Sequence, residues 1–389
     1  MTAGSIALAL LVGSNRAIAI PLQPVETSTL PAELGRDRRL WFHNGGVGDK
    51  DRLSIAIARS LTYLETPAAV EDYAELTLPP GVTRDRVRRS LQRFRQLVLA
   101  ADSPEALNAA VRSEFRFYRA AGTDGRGTVE FTGYYSPTFA ASRERTSEYR
   151  YPLYRRPADL ETWPLPHPTR ADLEGADGLR SDRGPLQGLE LVWLRDRLDA
   201  FLVQVQGSAR LQLTDGKLMT VGYAGRTEYD YTSIGKQLVA DGKFTREALS
   251  LAKIREYFRD RPQDLDEYLP RNQRFVFFEP TEGAPPIGSL NVPVTEGRSV
   301  ATDKSLMPPG APALVHAPLA SGRPKVEKPG TAAGVPEISS LAKQDVTGWE
   351  SRYVLDQDTG GAIRGAGRVD LFIGIGDAAE REAGEIDLS

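Results

Sequence analysis

The sequence predicts a mainly β protein with helices, in which both ends of the chain form one domain and a second β unit is inserted between them. Three observations point there. Helical periodicity is confined to two blocks, one before Tyr118 and one between Thr232 and Leu269. Runs of strand-forming residues fill the middle of the chain and return after Arg274. Glycine and proline number 36 and 27 among 389 residues, which favours many turns and short strands over long helices.

Taken in order, Ile6 to Val12 is an apolar run and Ala17-Ile18-Ala19 fits a small-residue cleavage pattern, so residues 1–19 are expected to be an export signal, although no Lys or Arg precedes the run. The run is too short to span a bilayer. Residues 20–39 read as a linker. Asp51 to Leu64 places Leu53, Ala56, Ile57, Leu61 and Leu64 on one helical face, and Thr83 to Leu99 repeats the spacing with Val87, Leu91, Phe94 and Val98. The arginines opposite read as a solvated face. Ser103-Pro104-Glu105 has the cap, first-turn proline and acidic residue of a helix start, with Leu107, Val111, Phe115 and Tyr118 following on one face.

From Thr128 to Tyr135 the texture is that of a strand, as it is at Tyr149–Arg155, Leu189–Leu194, Ala200–Gln206 and Arg210–Leu213. Asp215-Gly216 is a hairpin turn that folds Leu218–Tyr223 back onto Arg210–Leu213. The stretch from Tyr149 to Tyr223 is expected to be a compact antiparallel unit. Helices are expected at Thr232–Asp241, Thr245–Phe258 and Pro262–Leu269, then strands at Arg274–Phe278, Val292–Ala301, Ala313–Ala317, Arg352–Leu355 and Val369–Ile373. Leu319–Gly348 reads as a polar loop and the tail after Gly376 as frayed. The expected division is an outer domain of residues 40–134 and 226–389 around an inserted unit of residues 135–225.

Composition narrows the chemistry. A net charge of −3 offers no basic field for nucleic acid. With no cysteine, disulfides, thiolate metal sites, a cysteine nucleophile and a lipid anchor on an N-terminal cysteine are not expected. The three histidines, His43, His167 and His316, lie far apart and form no HExxH, so neither a metal site nor a cofactor is expected. No phosphate-binding glycine loop and no GxSxG elbow is present.

The segment from Leu355 to Gly374 is densest in candidates. Asp358 and Asp370 flank a glycine-rich loop. Asp370 interrupts the apolar run Val369-Leu371-Phe372, a setting that raises a carboxyl pKa as a general acid requires. Asp358 also reads as a turn aspartate bonding its own backbone, and Asp370 as an outward-facing strand residue. Asp356-x-Asp358-x-Gly360-Gly361 has the opening of a calcium loop, but Gly360 and Gly367 stand where ligands are needed.

These residues carry a resemblance. Asp358-Thr-Gly-Gly-Ala-Ile-Arg-Gly through Arg368-Val-Asp370-Leu-Phe, with Ala301-Thr-Asp303-Lys-Ser-Leu-Met-Pro-Pro-Gly310, resembles the three-aspartate signature of the membrane-bound lytic murein transglycosylase A family. Phe131-Thr-Gly-Tyr-Tyr-Ser-Pro137, Asp199 to Ser208, Tyr223-Ala-Gly225, Ser233 to Lys236 and Arg274 to Phe278 resemble its other blocks, in family order over roughly Leu40 to Asp377. The resemblance implies a double-psi β-barrel domain with a second β-barrel inserted, and a glycan groove between them. It implies cleavage of the β-1,4 bond between N-acetylmuramic acid and N-acetylglucosamine in peptidoglycan, leaving 1,6-anhydro ends. It places the catalytic aspartate on Asp370, with Asp358 and Asp303 as its partners. Tyr134, Tyr135, Gln206 and Ser208 become candidates to line the groove, where aromatics stack on sugars and amides bond their hydroxyls.

The expected protein is a monomeric enzyme of the periplasm or cell envelope without a lipid anchor. Its expected partner is the peptidoglycan glycan strand; any envelope or divisome protein partners are unknown. Two other readings stay open: a glycoside hydrolase pairing Asp358 with Asp370, and a glycan-binding envelope protein without catalysis.

Overall fold

The computed structural model describes residues 21–43, 46–180, 184–246, 248–317 and 349–388. The expected export signal at 1–19 and the expected polar loop at Leu319–Gly348 lie outside the described residues.

The chain begins with β1 (Leu22–Val25) and the short pair β2 (Phe42–His43) and β3 (Gly46–Val47). Four helices follow: α1 (Lys50–Leu64), α2 (Pro67–Glu75), α3 (Arg84–Ala100) and α4 (Pro104–Glu114). The periodic apolar residues do what their spacing predicts. Leu53, Ala56, Ile57 and Leu64 of α1 share one core with Val87, Leu91, Phe94 and Val98 of α3 and with Leu107 and Val111 of α4. Thr83 and Ser103 cap α3 and α4 by accepting from Arg86 N and Ala106 N. The helix α2 was not expected; Thr66 caps it and Pro67 starts it, a signal present in the sequence. The helix α4 stops at Glu114, so Tyr118 lies in β4 (Phe117–Ala120), not on the helix face expected for it. That strand pairs with β1. Much of the expected linker is therefore held in place, and Asp37 within it is fully buried.

The middle of the chain contains β5 (Glu130–Ser136), β6 (Thr138–Ser142), β7 (Tyr151–Tyr154), α5 (Arg170–Glu174), β8 (Glu190–Leu194), α6 (Arg197–Gln206), β9 (Ser208–Leu213) and β10 (Leu218–Arg226). Then come α7 (Ile234–Ala240), α8 (Leu251–Asp260), α9 (Leu265–Tyr268) and β11 (Val276–Pro280). The chain ends with β12 (Ser299–Ala301), β13 (Pro312–Ala317), β14 (Glu350–Asp358), β15 (Arg368–Ile375), α10 (Asp377–Glu385) and β16 (Asp387–Leu388).

Two six-stranded sheets organise these strands. One runs β13-β14-β12-β15-β5-β16 and the other β11-β10-β9-β6-β8-β7. The chain crosses from the first to the second at Pro137, between β5 and β6. The second sheet takes β11 from beyond the stretch at 135–225 expected to form it, because Phe278 and Val276 pair with Tyr223 and Arg226. It is also not purely antiparallel: β6 and β9 run parallel. One isolated bridge, Arg155 to Phe278, links its two edge strands.

Four further expectations need correction. Ala200–Gln206 is helix, not strand: Asp196 caps α6 by accepting from Leu198 N and Asp199 N, and Gly207 ends it in the left-handed conformation. Its apolar run is continuous because the helix is buried on two sides, Ala200 and Val203 in one core and Leu198, Phe201 and Leu202 in another. The helix expected from Thr245 begins only at Leu251, where Ser250 caps it. Of the strand expected at Val292–Ala301, only Ser299–Ala301 forms, because Ser299 N and Arg298 N close a turn onto the Thr295 carbonyl. The tail is ordered, not frayed: Ala379, Ala383 and Ile386 join the core under the first sheet. A Cβ on Gly133 of β5 would come within 2.9 Å of the Ala383 backbone, so that glycine lets α10 lie directly on the strand.

Candidate active site

Register places the site before any side-chain detail. On β12, Ala301 pairs with Asp358 of β14 on one side and Asp370 of β15 on the other. Asp370 pairs in turn with Thr132 of β5. Residues opposite one another across neighbouring strands share a face, so Asp358, Ala301, Asp370 and Thr132 form one row. With adjacent strands about 4.8 Å apart, the backbones of the two aspartates stand roughly 10 Å apart.

The two carboxyls are held differently. Asp358 accepts from the Tyr134 hydroxyl at 2.7 Å, from Ser289 N at 2.9 Å and from Thr359 N at 2.8 Å. Burial pushes its pKa above the usual carboxylate range, against the pull of these three donors. Asp370 accepts only from the Thr132 hydroxyl, at 2.7 Å on Oδ1, and its Oδ2 has no protein partner among the described residues. Burial raises the Asp370 pKa to about 6, against the Thr132 hydrogen bond and the nearby Arg368 charge, and the negative charge of Asp358 adds to the rise. Arg368 also donates to Thr132 Oγ1 at 3.0 Å, which fixes the direction in which that hydroxyl donates.

Supporting groups close around the row. The Lys304 ammonium bonds Asp356 Oδ1 and, at 2.5 Å, the Asp358 carbonyl, tying the end of β14 to the segment after β12. Thr302 Oγ1 donates to the same Asp356 oxygen at 2.8 Å. Asp356 is thus occupied by an ammonium and a hydroxyl where the sequence suggested the start of a calcium loop. Among the described residues no three His, Asp or Glu side chains converge as a metal ligand set. Asp303 is buried and braces the glycine-rich loop, accepting from Gly365 N at 2.7 Å and the Ser305 hydroxyl at 2.7 Å. Burial alone would raise its pKa, but these donors outweigh it and hold the carboxyl below its ordinary value.

The other candidates divide by strand alternation. The Tyr134 ring packs against Phe372 at 5.2 Å with its hydroxyl on Asp358. Tyr135 points the opposite way, into the core with Val300, Leu371 and Ile373. Gln206, at the end of α6, receives Tyr135 N at 3.3 Å, and buried Ser208 bonds Ser136 at 3.1 Å. These two fasten β5 to the second sheet and do not join the aspartate row. Thr132, Arg368, Lys304 and Ser289 were not singled out from the sequence. Period-two spacing could have found the first two, since Thr132 lies two residues before Tyr134 and Arg368 two before Asp370. Nothing local marks Ser289, which reaches Asp358 from 69 residues away.

The chain is similar to known proteins in sequence and in fold. The family described as MltA specific insert domain matches residues 130–279, and the 3D domain matches residues 298–388. The chain is 32% identical over 318 residues to membrane-bound lytic murein transglycosylase A of Vibrio cholerae, covering 80% of this chain and 76% of that one. It is 33% identical over 265 residues to the protein of the same name from Escherichia coli, covering 68% of this chain and 64% of that one, just under two thirds. In structure it is similar to the membrane-bound lytic murein transglycosylase from Agrobacterium tumefaciens, with a TM-score of 0.67, 26% identity and 94% of each chain covered. It is also similar to E. coli MltA with bound chitohexaose, with a TM-score of 0.65, 25% identity and 95% and 92% covered.

Proposed function

Since this chain belongs to the membrane-bound lytic murein transglycosylase A family, we propose that it cleaves the N-acetylmuramic acid to N-acetylglucosamine bond of peptidoglycan without adding water, using Asp370 as acid and then base. The observation that carries the choice of residue is the unequal supply of donors: three on Asp358, one on Asp370. A carboxyl with one donor, an open oxygen and a pKa of about 6 can hold a proton near neutrality and give it up on demand.

In the forward step, Asp370 gives its proton to the glycosidic oxygen as the bond from the muramic C1 breaks. The departing sugar leaves with a hydroxyl, and positive charge spreads over C1 and the ring oxygen. Asp370, now ionised, takes the proton from the muramic C6 hydroxyl, whose oxygen closes onto C1. The carboxyl ends protonated as it began, and no water is consumed. Asp358 stabilises the cationic sugar as a fixed negative charge. Its oxygens are committed to Tyr134 and two backbone donors, which disfavours it as the nucleophile of a retaining hydrolase.

The same reading treats the first sheet as a double-psi barrel and the second as an inserted barrel, supported for the latter by the bridge between its edge strands. The outer unit is then residues 40–134 and 226–389 around an insertion at 135–225, with β11 passing to the inserted unit. Glycan lies between the two units, and the protein works in the cell envelope as a monomer. No helix among the described residues is long and apolar enough to cross a membrane.

Mass spectrometry of muropeptides after digestion of purified peptidoglycan tests the reading. The expected products lack one water relative to hydrolysis and are absent with Asp370→Asn. Reducing-end products would make the protein a hydrolase, and intact glycan that remains bound would make it a binding protein.

A further inference from the structure

A cationic corner sits beside the loop that joins the two aspartates, and the mechanism above does not use it. Arg274, just before β11, is only 7% exposed. Its Nε donates to the Tyr229 carbonyl at 2.7 Å, while Nη1 and Nη2 have no protein hydrogen-bond partner among the described residues. Arg226, at the end of β10, reaches the same Tyr229 carbonyl through Nη1 at 3.5 Å, so one oxygen brings two guanidinium groups together. The Arg274 guanidinium lies against the glycine-rich loop: a Cβ on Gly361 would fall 1.9 Å from its Nη1. Three residues further along that loop, exposed Arg364 stands 3.8 Å from Asp303, whose carboxylate is already held by Gly365 N and Ser305. Asp230 is the other acidic group facing Arg274.

The two idle nitrogens are not sealed from solvent and so stay open to a ligand, and burial of the rest of the side chain together with the Arg226 and Arg364 charges lowers the Arg274 pKa. An idle fork of parallel N–H donors fits a carboxylate, which it can bind through two bonds at once. In stem-bearing murein the glycan backbone offers hydroxyls, acetamides and a lactyl group in amide linkage, all neutral. The peptide stem carries free carboxylates.

We propose that Arg274, with Arg226 and Arg364, forms a subsite for a carboxylate of the murein peptide stem. The proposal rests on the reading of the protein as a murein enzyme and adds a determinant for the stem. Gly361 places the subsite against the loop between Asp358 and Asp370, so a stem held there fixes its muramic residue beside the cleft.

The test compares initial rates on two substrates: glycan strands bearing stems, and the same strands stripped of stems by an amidase and then converted to the methylamide at the lactyl carboxyl that the amidase exposes, so that they carry no carboxylate. Arg274→Gln is expected to raise KM for stem-bearing strands about tenfold while leaving kcat on both substrates and KM on bare strands within about twofold. Arg274→Lys retains the charge without the fork and is expected to fall between. Exposed Arg364→Gln, which carries little folding risk, is expected to shift KM in the same selective way by about threefold. Equal losses on both substrates, or no loss with any of the three variants, would overturn the subsite. If the unmodified protein cleaves neither substrate, the transglycosylase reading fails. Calorimetry with the free acidic stem peptide then decides the subsite alone: heat of binding lost in Arg274→Gln upholds it, and no heat with the unmodified protein overturns it.

Discussion

The turn before β12 and the strand itself hold charge in opposite ways. Arg298, fully buried, bonds Asp37 and Asp49, both buried, and also the Tyr353 carbonyl at 2.8 Å. Asp37 in turn accepts from Tyr353 N at 2.9 Å. Every partner of that cation is supplied by the fold, and the cluster pins the segments around Asp37 and Asp49 to the first sheet. Three residues further on, Ala301 stands between two carboxyls, of which Asp370 has one donor and one open oxygen. A saturated charge cluster is costly to break, whereas an under-supplied carboxyl costs stability and keeps a reactive proton. The difference separates scaffold from chemistry on one sheet.

The comparison can be broken by removing its members. Asp370→Asn is expected to reduce turnover at least about a thousandfold while glycan binding persists, as measured by product formation and by calorimetry with a chitooligosaccharide. Turnover in the pure variant would remove Asp370 from the mechanism. Arg298→Ala leaves two buried aspartates without their cation and is expected to cost about 3–5 kcal/mol in urea unfolding. A loss below about 1 kcal/mol would mean that the cluster is not structural.

The open side of the comparison also has a stability signature. The folded pKa of Asp370, about 6, lies above the unfolded value near 4. The folded state therefore binds this proton more tightly. The resulting stability is full below about pH 4 and is lost as pH rises through about 6. Asp370→Asn removes the titration, so the variant is expected to be more stable than the parent at pH 7, by at most about 3 kcal/mol, with the gain vanishing near pH 4. Unfolding midpoints at the two pH values check this. The smallest expected effect is that of Tyr134→Phe, which takes one of three donors from Asp358 and is expected to slow turnover about tenfold without unfolding the protein. Unchanged kcat would exclude a role for that hydroxyl.

Much of this was legible in the sequence because the signals were local. Caps and apolar spacing marked α1, α3 and α4, and the Asp215-Gly216 turn marked the β9–β10 hairpin. Asp370 was visible as an acid inside an apolar run. What stayed hidden depended on long-range pairing. The helix α6 looks like a strand until both of its sides are known to be buried. Three residues of the ten expected at Val292–Ala301 pair as strand, because the buried Arg298 cluster holds the turn before them. The donors that set the two carboxyls apart, Thr132 and Ser289, come from strands and loops far away in the chain.

The most direct test of the account is the pH dependence of kcat/KM for the parent and Thr132→Val. The parent is expected to lose activity as pH rises through about 6, where Asp370 loses its proton. Thr132→Val removes the one donor that favours the ionised form and is expected to move that limb to higher pH. A limb near pH 4, or one that stays in place when Thr132 is lost, would contradict Asp370 as the proton carrier.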